Sequence, residues 1–388
     1  MTEKSEDIFE LIQKGESEAV KKLITSKKVD VNCLDKTGLS LIDQAAFKGN
    51  EELVEWLLAH NANPHSKANN DSYTSLMFAA LSGNARICQM LLEAGVNSEA
   101  LNKLGKTASE MAAFTGQHEC VSVINSYVSY SVVDKILHPN GANSTEIYPQ
   151  ELVEFIHELV KGNQIHPIRI IFKIVENEIV KKYKKKVLWT IDRLFERQLR
   201  FKSSNEMMSI KLWLIYFPLN EVLKYVDRCH KEERYSKLGS DELLLLFAKQ
   251  ITEMKEGSVV KEFEEMLLRN TVRAFPYTHS LLYITLLRAI CSSKLGERPT
   301  AYNIIMQSLY GTQLTMTTKF CSTCGIPGAK LRCQKCRTIY CSQKCQKFDW
   351  TYHKKCCKYL EKYQFVSEIE TLSIEDIEKM KSMEGTET

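Results

Sequence analysis

A repeat with a period of 33 to 34 residues constrains the fold of this chain more than any other sequence feature. Glycines recur along the first third of the chain at Gly15, Gly49, Gly83 and Gly116. A fixed period of this length is typical of stacked units, each of which leaves an apolar side that its neighbour must cover. Paired alanines keep the same step: Ala45-Ala46, Ala79-Ala80 and Ala112-Ala113.

Each repeat has the pattern of two helices. The paired alanines predict a first helix that packs closely on the next repeat, because bulky side chains are excluded there. The glycine predicts the end of that helix, since a left-handed conformation costs glycine least. Apolar residues at Leu53, Val54, Leu57 and Leu58 predict one face of a second helix. Residues 1–130 are therefore predicted to form about four such units, the first of them partial.

The repeats resemble the ankyrin repeat, most clearly from Asp35 to Ala68. The resemblance implies a solenoid that carries no chemistry of its own and binds protein partners along its hairpin tips and inner helices. Candidate partner-binding residues at these tips are Lys36, Asp71 and Lys103. The alternative interpretation is that these polar side chains are simply solvated loop residues.

A linker is predicted to separate the repeats from a helical region. The linker is predicted at residues 131–146. Residues 147–315 are predicted to form an all-helical domain, because their apolar positions follow helical spacing without strand-like alternation. Pro218 predicts a break between two of its helices, since proline lacks the N–H that a helix interior needs. The run Lys181–Lys186 predicts either a solvated helix face, a localisation signal, or a site for acidic lipid or nucleic acid.

Potential metal ligands are concentrated near the C-terminus. Eight of the thirteen cysteines lie between Cys321 and Cys357, in a segment with too little apolar material for a core of its own. Zinc takes four such ligands tetrahedrally, so eight ligands predict two zinc ions whose binding supplies the folding energy. The candidate ligands are Cys321, Cys324, Cys333, Cys336, Cys341, Cys345, His353 and Cys357, with Cys356 as a sterically conceivable alternative to Cys357.

The order and spacing of these ligands resemble the MYND zinc finger, and Tyr340, Gln346 and Trp350 agree with that family. The resemblance selects Cys357 over Cys356 and implies an interleaved arrangement of two structural sites. It also implies a surface for proline-rich peptides at Gln346 and Trp350, although Trp350 could equally form the finger's own small core. Cys321, Cys324, Cys341 and Cys345 would hold the first ion, and Cys333, Cys336, His353 and Cys357 the second.

Charge argues against nucleic acid as the partner. The net charge of +4 over 388 residues is close to neutral, unlike that of a dedicated nucleic-acid binder. The finger itself is basic, with ten basic residues and one acid between residues 319 and 358. No helix there has the base-reading side chains of a major-groove finger. Residues 361–388 are acidic and are predicted to form a flexible tail.

Several other classes of protein are disfavoured. The sequence has no run approaching the ~20 apolar residues of a membrane span and no N-terminal signal-peptide pattern, so we expect a soluble, cytoplasmic chain. No catalytic residues are predicted, because neither a Gly-rich phosphate loop nor a His-Glu-x-x-His motif is present. The SET motifs that accompany MYND fingers in some lysine methyltransferases are also missing.

The order of the modules resembles the ankyrin repeat and MYND domain-containing protein 2 family. The resemblance implies a non-enzymatic adaptor at the cilium that supports delivery of membrane guanylyl and adenylyl cyclases, and so affects cyclic-nucleotide and Hedgehog signalling. It also implies an immunophilin-type prolyl isomerase as a partner. A nuclear scaffold that recruits corepressors is the alternative, because other MYND proteins do this, and a MYND-linked methyltransferase ranks third.

Overall fold

A computed structural model describes residues 3–66, 69–140, 146–200, 205–311 and 318–371. The described residues are mostly helical, which confirms the predicted fold class, and their one sheet is a two-stranded antiparallel ribbon. The chain divides into two compact units. Residues 1–163, 189–212 and 309–314 form the first unit, and residues 164–188, 213–308 and 315–388 form the second.

The N-terminal repeats consist of helix pairs. The pairs are α1 (Glu3–Lys14) with α2 (Ser17–Thr25), α3 (Leu41–Phe47) with α4 (Glu51–Ala59), α5 (Ser75–Ser82) with α6 (Ala85–Glu93), and α7 (Ala108–Phe114) with α8 (His118–Ser126). The inner helices α3, α5 and α7 pack side by side, and the outer helices α4, α6 and α8 do the same. The predicted solenoid of ankyrin repeats is therefore present.

The start and end of each inner helix follow from single residues. Ser40, Thr74 and Thr107 precede the inner helices, and each side chain accepts a hydrogen bond from the backbone N–H three residues later. Gly49 and Gly83 follow these helices with φ of 70° and 75°, the left-handed conformation that favours glycine. The prediction that glycine ends each first helix is confirmed.

The core of the stack consists of the apolar residues that recur with the repeat period. Alanines of the inner helices and branched apolar residues of the outer helices are almost completely buried in one continuous cluster. Burial at this level makes the core sensitive to any loss of volume. Its members include Ala45, Ala46, Leu53, Val54, Leu57, Ala79, Ala80, Ile87, Leu91 and Ala112.

Asp43 joins two neighbouring repeats through a buried carboxylate. Its Oδ2 accepts the backbone N–H of Ser40 at 2.9 Å, which completes a capping box at the start of α3. Its Oδ1 accepts the hydroxyl of Ser75 in α5 at 2.6 Å. Burial raises the pKa of Asp43 even though these donors favour the charged form.

We expect the substitution Asp43→Ala to lower the free energy of unfolding by about 2 kcal/mol, because the buried Ser40 N–H loses its acceptor and the Ser75 hydroxyl keeps only the longer bond to the Pro64 carbonyl. Glu110 occupies the equivalent position in α7, where it accepts the Thr107 N–H at 2.9 Å but is exposed. The matched variant Glu110→Ala should therefore cost no more than about 1 kcal/mol. Thermal unfolding followed by circular dichroism measures both changes, and equal losses would contradict the role assigned to burial.

The remaining helices follow the repeats. They are α9 (Tyr130–Leu137), α10 (Gln150–Val160), α11 (Pro167–Val175), α12 (Glu178–Arg200), α13 (Glu206–Cys229), α14 (Ser240–Thr252), α15 (Glu262–Arg273), α16 (Leu281–Ser292), α17 (Ala301–Tyr310) and α18 (Gln343–Thr371), with a short 3₁₀ turn at Glu233–Tyr235. The ribbon consists of β1 (Leu331–Arg332) and β2 (Ile339–Tyr340). None of the described helices is long and apolar enough to cross a bilayer.

Three details differ from the sequence-based expectations. Pro218 lies inside one continuous helix, α13, rather than between two helices, because it is buried and packing outweighs the lost N–H bond. The first half of the predicted linker is helical as α9, which buries Val133 and Leu137. Residues 361–371 of the predicted tail continue α18, and residues 372–388 lie outside the described residues.

In the first unit, polar side chains from α13 and the segment before it cover the end of α8. Lys211 is fully buried, and its side-chain nitrogen Nζ donates to the carbonyl oxygens of Ser126 and Val160, the last residues of α8 and α10. The Asn205 amide donates to the Asn125 carbonyl at 2.7 Å. These contacts satisfy carbonyls that a helix end leaves without an internal partner.

In the second unit, part of the lysine run on α12 is occupied by ion pairs. Lys181 Nζ lies 2.5 Å from Glu178 and 2.6 Å from Asp241, and Lys184 Nζ lies 2.7 Å from Asp227. A backbone distortion at Tyr183 kinks the helix within the run. These contacts favour the interpretation of the run as a helix face.

Candidate metal centre

The finger is built from tight turns, the β1–β2 ribbon and the start of α18. The Cys321–Cys324 turn is closed by the Gly325 N–H, which donates to the Cys321 carbonyl at 2.9 Å. A similar turn follows Cys333, where the Arg337 N–H donates to the Cys333 carbonyl at 3.0 Å. Such turns point two sulfurs in one direction, which is the arrangement a tetrahedral ion requires.

The first group of ligands combines the first turn with Cys341, which directly follows β2, and Cys345 at the start of α18. Cys324 Sγ lies 3.6 Å from the sulfurs of both Cys341 and Cys345, and those two sulfurs are 3.5 Å apart. Cys321 completes the group, and all four sulfurs lie within 4.8 Å of one another.

The second group combines the second turn with the middle of α18. Cys333 Sγ lies 3.8 Å from Cys357 Sγ, and Cys336 Sγ lies 3.4 Å from His353 Nε2. All four side chains are buried. Because α18 contributes Cys345 to the first group and His353 to the second, one helix connects the two groups.

These distances fit zinc. A tetrahedral ion with Zn–S bonds of about 2.3 Å separates its sulfurs by about 3.8 Å, close to the spacings within both groups. Thiolate and imidazole are the ligands that zinc prefers, and the groups offer four each. The finger binds two zinc ions, and a complete set of protein ligands is the mark of structural sites. The assignment of each ligand stays a prediction, which the observed grouping supports.

Hydrogen bonds between the thiols and burial of the side chains shift the pKa values within both ligand groups. The pKa of Cys321 is lowered because Cys324 and Cys345 donate hydrogen bonds to its sulfur, and the pKa of Cys324 is raised because it is such a donor. Burial lowers the pKa of His353, which keeps the imidazole neutral and able to bind metal.

A chain of hydrogen bonds orients the histidine ligand. His353 directs Nε2 toward Cys336, while its Nδ1 lies 3.2 Å from the Tyr340 hydroxyl. That hydroxyl donates to Asp349 Oδ2 at 2.7 Å, and Tyr340 and Asp349 are both buried. Partners of this kind fix the tautomer and ring orientation of a ligating histidine.

The finger packs against helices of the same unit through its first turn and α18. The Tyr302 hydroxyl donates to the Gly325 carbonyl at 3.0 Å. Gly325 has φ of 67°, and a Cβ there would lie 2.4 Å from the Tyr302 hydroxyl oxygen, so glycine is required. At α18, Phe348 contacts Phe172 edge to face, with ring centroids 5.1 Å apart.

A buried lysine from the segment before α15 also reaches the finger. The Lys261 ammonium donates to the Ser322 carbonyl and lies 3.4 Å from Asp349 Oδ1. Lys261 and Asp349 are both almost fully buried. Although burial acts to lower it, the pKa of Lys261 is raised on balance by the charges of Asp349 and Glu264, so the side chain is a cation.

Cys356 points away from both groups. Its Sγ lies 3.5 Å and 3.3 Å from the carbonyl oxygens of Met254 and Lys255, respectively. Its neighbour Cys357 lies in the second group. Consecutive positions on a helix face different directions, so only one of these two thiols reaches the metal.

The predicted partner-binding residues lie on different surfaces. Trp350 is 47% exposed and Gln346 is half-buried one turn before it, on the same side of α18. Lys36, Asp71 and Lys103 are exposed at the hairpin tips, and the Lys103 N–H donates to the Asp71 carbonyl at 3.1 Å.

Sequence reasoning did not identify Asp349 and Lys261 as residues of the centre. In the sequence Asp349 is the one acid of a basic finger, and the signal for its role is its position four residues before His353. Lys261 had no signal, because it lies 60 residues before Cys321 and only folding brings it to the finger.

Comparisons with known proteins agree with this architecture. Residues 8–100 and 44–134 match the family described as ankyrin repeats (3 copies), and residues 321–357 match the family described as MYND finger. The fold and the metal centre thus define a protein that combines two kinds of protein-interaction module.

One relative matches this chain over nearly its whole length. The chain is 44% identical over 376 residues to Dauer abnormal formation protein 25 of Caenorhabditis elegans, covering 96% of this chain and 95% of that protein. It therefore belongs to the ankyrin repeat and MYND domain-containing protein family. A shorter match, 28% identical over 100 residues, relates it to Protein phosphatase 1 regulatory subunit 27 of Mus musculus, covering 26% of this chain and 64% of that protein.

Proposed function

We propose that this chain is a non-enzymatic adaptor that supports delivery of membrane guanylyl or adenylyl cyclases to cilia, with an immunophilin-type prolyl isomerase as a further partner. The observation that carries the proposal is the combination of an ankyrin stack and a two-zinc finger in a chain related over nearly its whole length to one protein. Both modules offer surfaces for binding, and both ligand groups are complete with protein atoms.

The finger offers a surface around Trp350 for one partner. The half-exposed indole and Gln346 lie on the same side of α18, and the exposed lysines Lys347 and Lys354 border them. An exposed aromatic ring beside cations suits a proline-containing peptide that also carries acidic residues. We assign such a peptide to this surface.

The ankyrin stack offers a second, more apolar surface. Phe47 and Phe114 occupy equivalent positions at the ends of their inner helices and are 53% and 93% exposed, respectively. Leu104, which directly follows Lys103 at a hairpin tip, is 76% exposed. Aromatic residues are enriched at protein interfaces, so we assign a binding role to these exposed side chains. The proposed occupant is a cytoplasmic segment of a cyclase.

We expect Trp350→Ala to weaken capture of the finger's partners at least 10-fold, because a central indole commonly contributes 2 kcal/mol or more to binding. Native mass spectrometry should still find two zinc ions, since Trp350 is not a ligand. Tyr359→Ala, which removes another exposed aromatic ring from α18, is the matched control and should leave capture unchanged. Unchanged capture by the Trp350 variant would remove that surface from the proposal.

Affinity purification of the tagged full chain from ciliated cells tests the function itself. Recovery of a membrane cyclase, and its loss with Phe47→Ala and Phe114→Ala together, is the expected result. Recovery without any cyclase would overturn the ciliary assignment. Imaging of the tagged chain distinguishes the alternative, because a corepressor scaffold would concentrate in the nucleus rather than in the cytoplasm and cilium.

A further inference from the structure

We propose that Lys261, which lies outside the finger, is a positioning residue for both zinc ions. It holds the first metal-binding turn through the Ser322 carbonyl and the second ligand group through Asp349. The inference is independent of the proposed function, because it concerns only how the metal ions are retained.

The first contact fixes the turn that carries two ligands of the first ion. Ser322 lies between Cys321 and Cys324, and its backbone is held on both sides. Its carbonyl accepts from the Lys261 ammonium, and its N–H donates to the Ile339 carbonyl at 2.8 Å. These two anchors restrict the backbone between Cys321 and Cys324, and so limit the orientations that the two sulfurs can take.

The second contact acts on the other ion through a series of buried groups. Lys261 Nζ lies 3.4 Å from Asp349 Oδ1, while Asp349 Oδ2 accepts from the Tyr340 hydroxyl. That hydroxyl in turn contacts Nδ1 of the ligand His353. Loss of Lys261 would leave the Asp349 carboxylate buried without its cation, so the orientation of the imidazole would no longer be fixed.

The positive charge of Lys261 is a second reason to assign it a role in retaining zinc. Four thiolates around one Zn²⁺ leave a formal excess of two negative charges, and this excess lies in the protein interior at the first group. Lys261 is a buried cation beside the Cys321–Cys324 turn. The neighbouring acid Glu264 has its own partner, His166, at 3.1 Å. An ammonium group at this position therefore stabilises the deprotonated sulfurs that hold the ion.

The experiment compares metal release from the zinc-loaded full chain with the variant Lys261→Met. EDTA is added in excess, and native mass spectrometry counts the zinc ions retained with time. We expect release from the variant to be at least 10-fold faster, in line with the 10- to 100-fold losses of metal affinity known for such supporting residues. Lys255→Met removes an exposed lysine from the same segment and is the matched control.

Two further variants separate positioning from folding. Lys261→Arg keeps the charge and a donor, so it should release zinc more slowly than Lys261→Met. In Lys261→Met combined with Asp349→Asn no unpaired carboxylate is buried, so this variant should fold even where Lys261→Met alone does not. It should still release zinc faster than the wild type, because the Ser322 anchor is missing. Wild-type release rates from the folded Met variant, or from the folded double variant, would overturn the proposal.

Discussion

Replacing Cys357 with serine should leave the chain with one tightly bound zinc ion instead of two, as counted by native mass spectrometry of the full chain. Cys357 belongs to the second ligand group, where its sulfur lies 3.8 Å from that of Cys333. Serine is a poor zinc ligand, and structural zinc contributes about 10–16 kcal/mol of apparent binding free energy in finger peptides. We therefore expect the ribbon and the middle of α18 to lose their protection from hydrogen exchange.

The adjacent thiol provides the matched control for this prediction. Cys356→Ser should retain both zinc ions, because the Cys356 sulfur contacts the carbonyls of Met254 and Lys255 instead of a metal site. A serine hydroxyl can donate to the same carbonyls, so we expect a cost of no more than about 1 kcal/mol. Loss of an ion from the Cys356 variant, with both ions kept by the Cys357 variant, would exchange the roles of the two residues.

Lys211 should make the stability of the first unit rise with pH between 7 and 9. Complete burial lowers the pKa of Lys211 from its usual 10.5 to about 7. In this range the unfolded chain binds a proton that the folded chain has lost, so raising the pH favours the folded state. Relative to Lys211→Met, the wild type should gain about 2 kcal/mol in the free energy of unfolding.

Urea titrations at pH 7 and pH 9, followed by circular dichroism, measure this difference. The Met variant is run in parallel so that the pH response of the zinc thiolates cancels. Lys48→Met removes an exposed lysine from the same unit and should follow the wild type at both pH values. The same dependence on pH in the Lys211 variant and the wild type would show that the buried amine does not titrate in this range.

Features that repeat, or that chemistry restricts to few residue types, were predictable from the sequence. The glycine interval predicts the helix pairs, and Gly15, Gly49, Gly83 and Gly116 all adopt the left-handed conformation expected of them. The cysteine spacing likewise predicted two zinc ions, because few arrangements of eight such ligands suit anything else. In both cases the residues that carry the pattern are themselves the residues that end the helix or bind the metal.

Features that depend on distant packing were not predictable. A proline such as Pro218 normally indicates a helix break, yet Pro218 is buried inside the continuous helix α13. Asp349 looked like a lone acid on a basic surface, whereas it is buried beside Lys261. The domain boundaries drawn from motifs also remain predictions, because the two compact units are assembled from segments that are separate in sequence. No local sequence pattern predicts which distant residues will be in contact in the folded chain.

The helices that receive the finger come before it in the chain, and this sets an order of events during translation. A ribosome synthesises Lys261 and Tyr302 before it makes Cys321, the first of the zinc ligands. The residues of the receiving surface are therefore made before those of the finger, and the second ligand group is complete only once Cys357 has been added. A nascent chain that stops short of residue 357 leaves this surface uncovered, which makes it a natural target for chaperones.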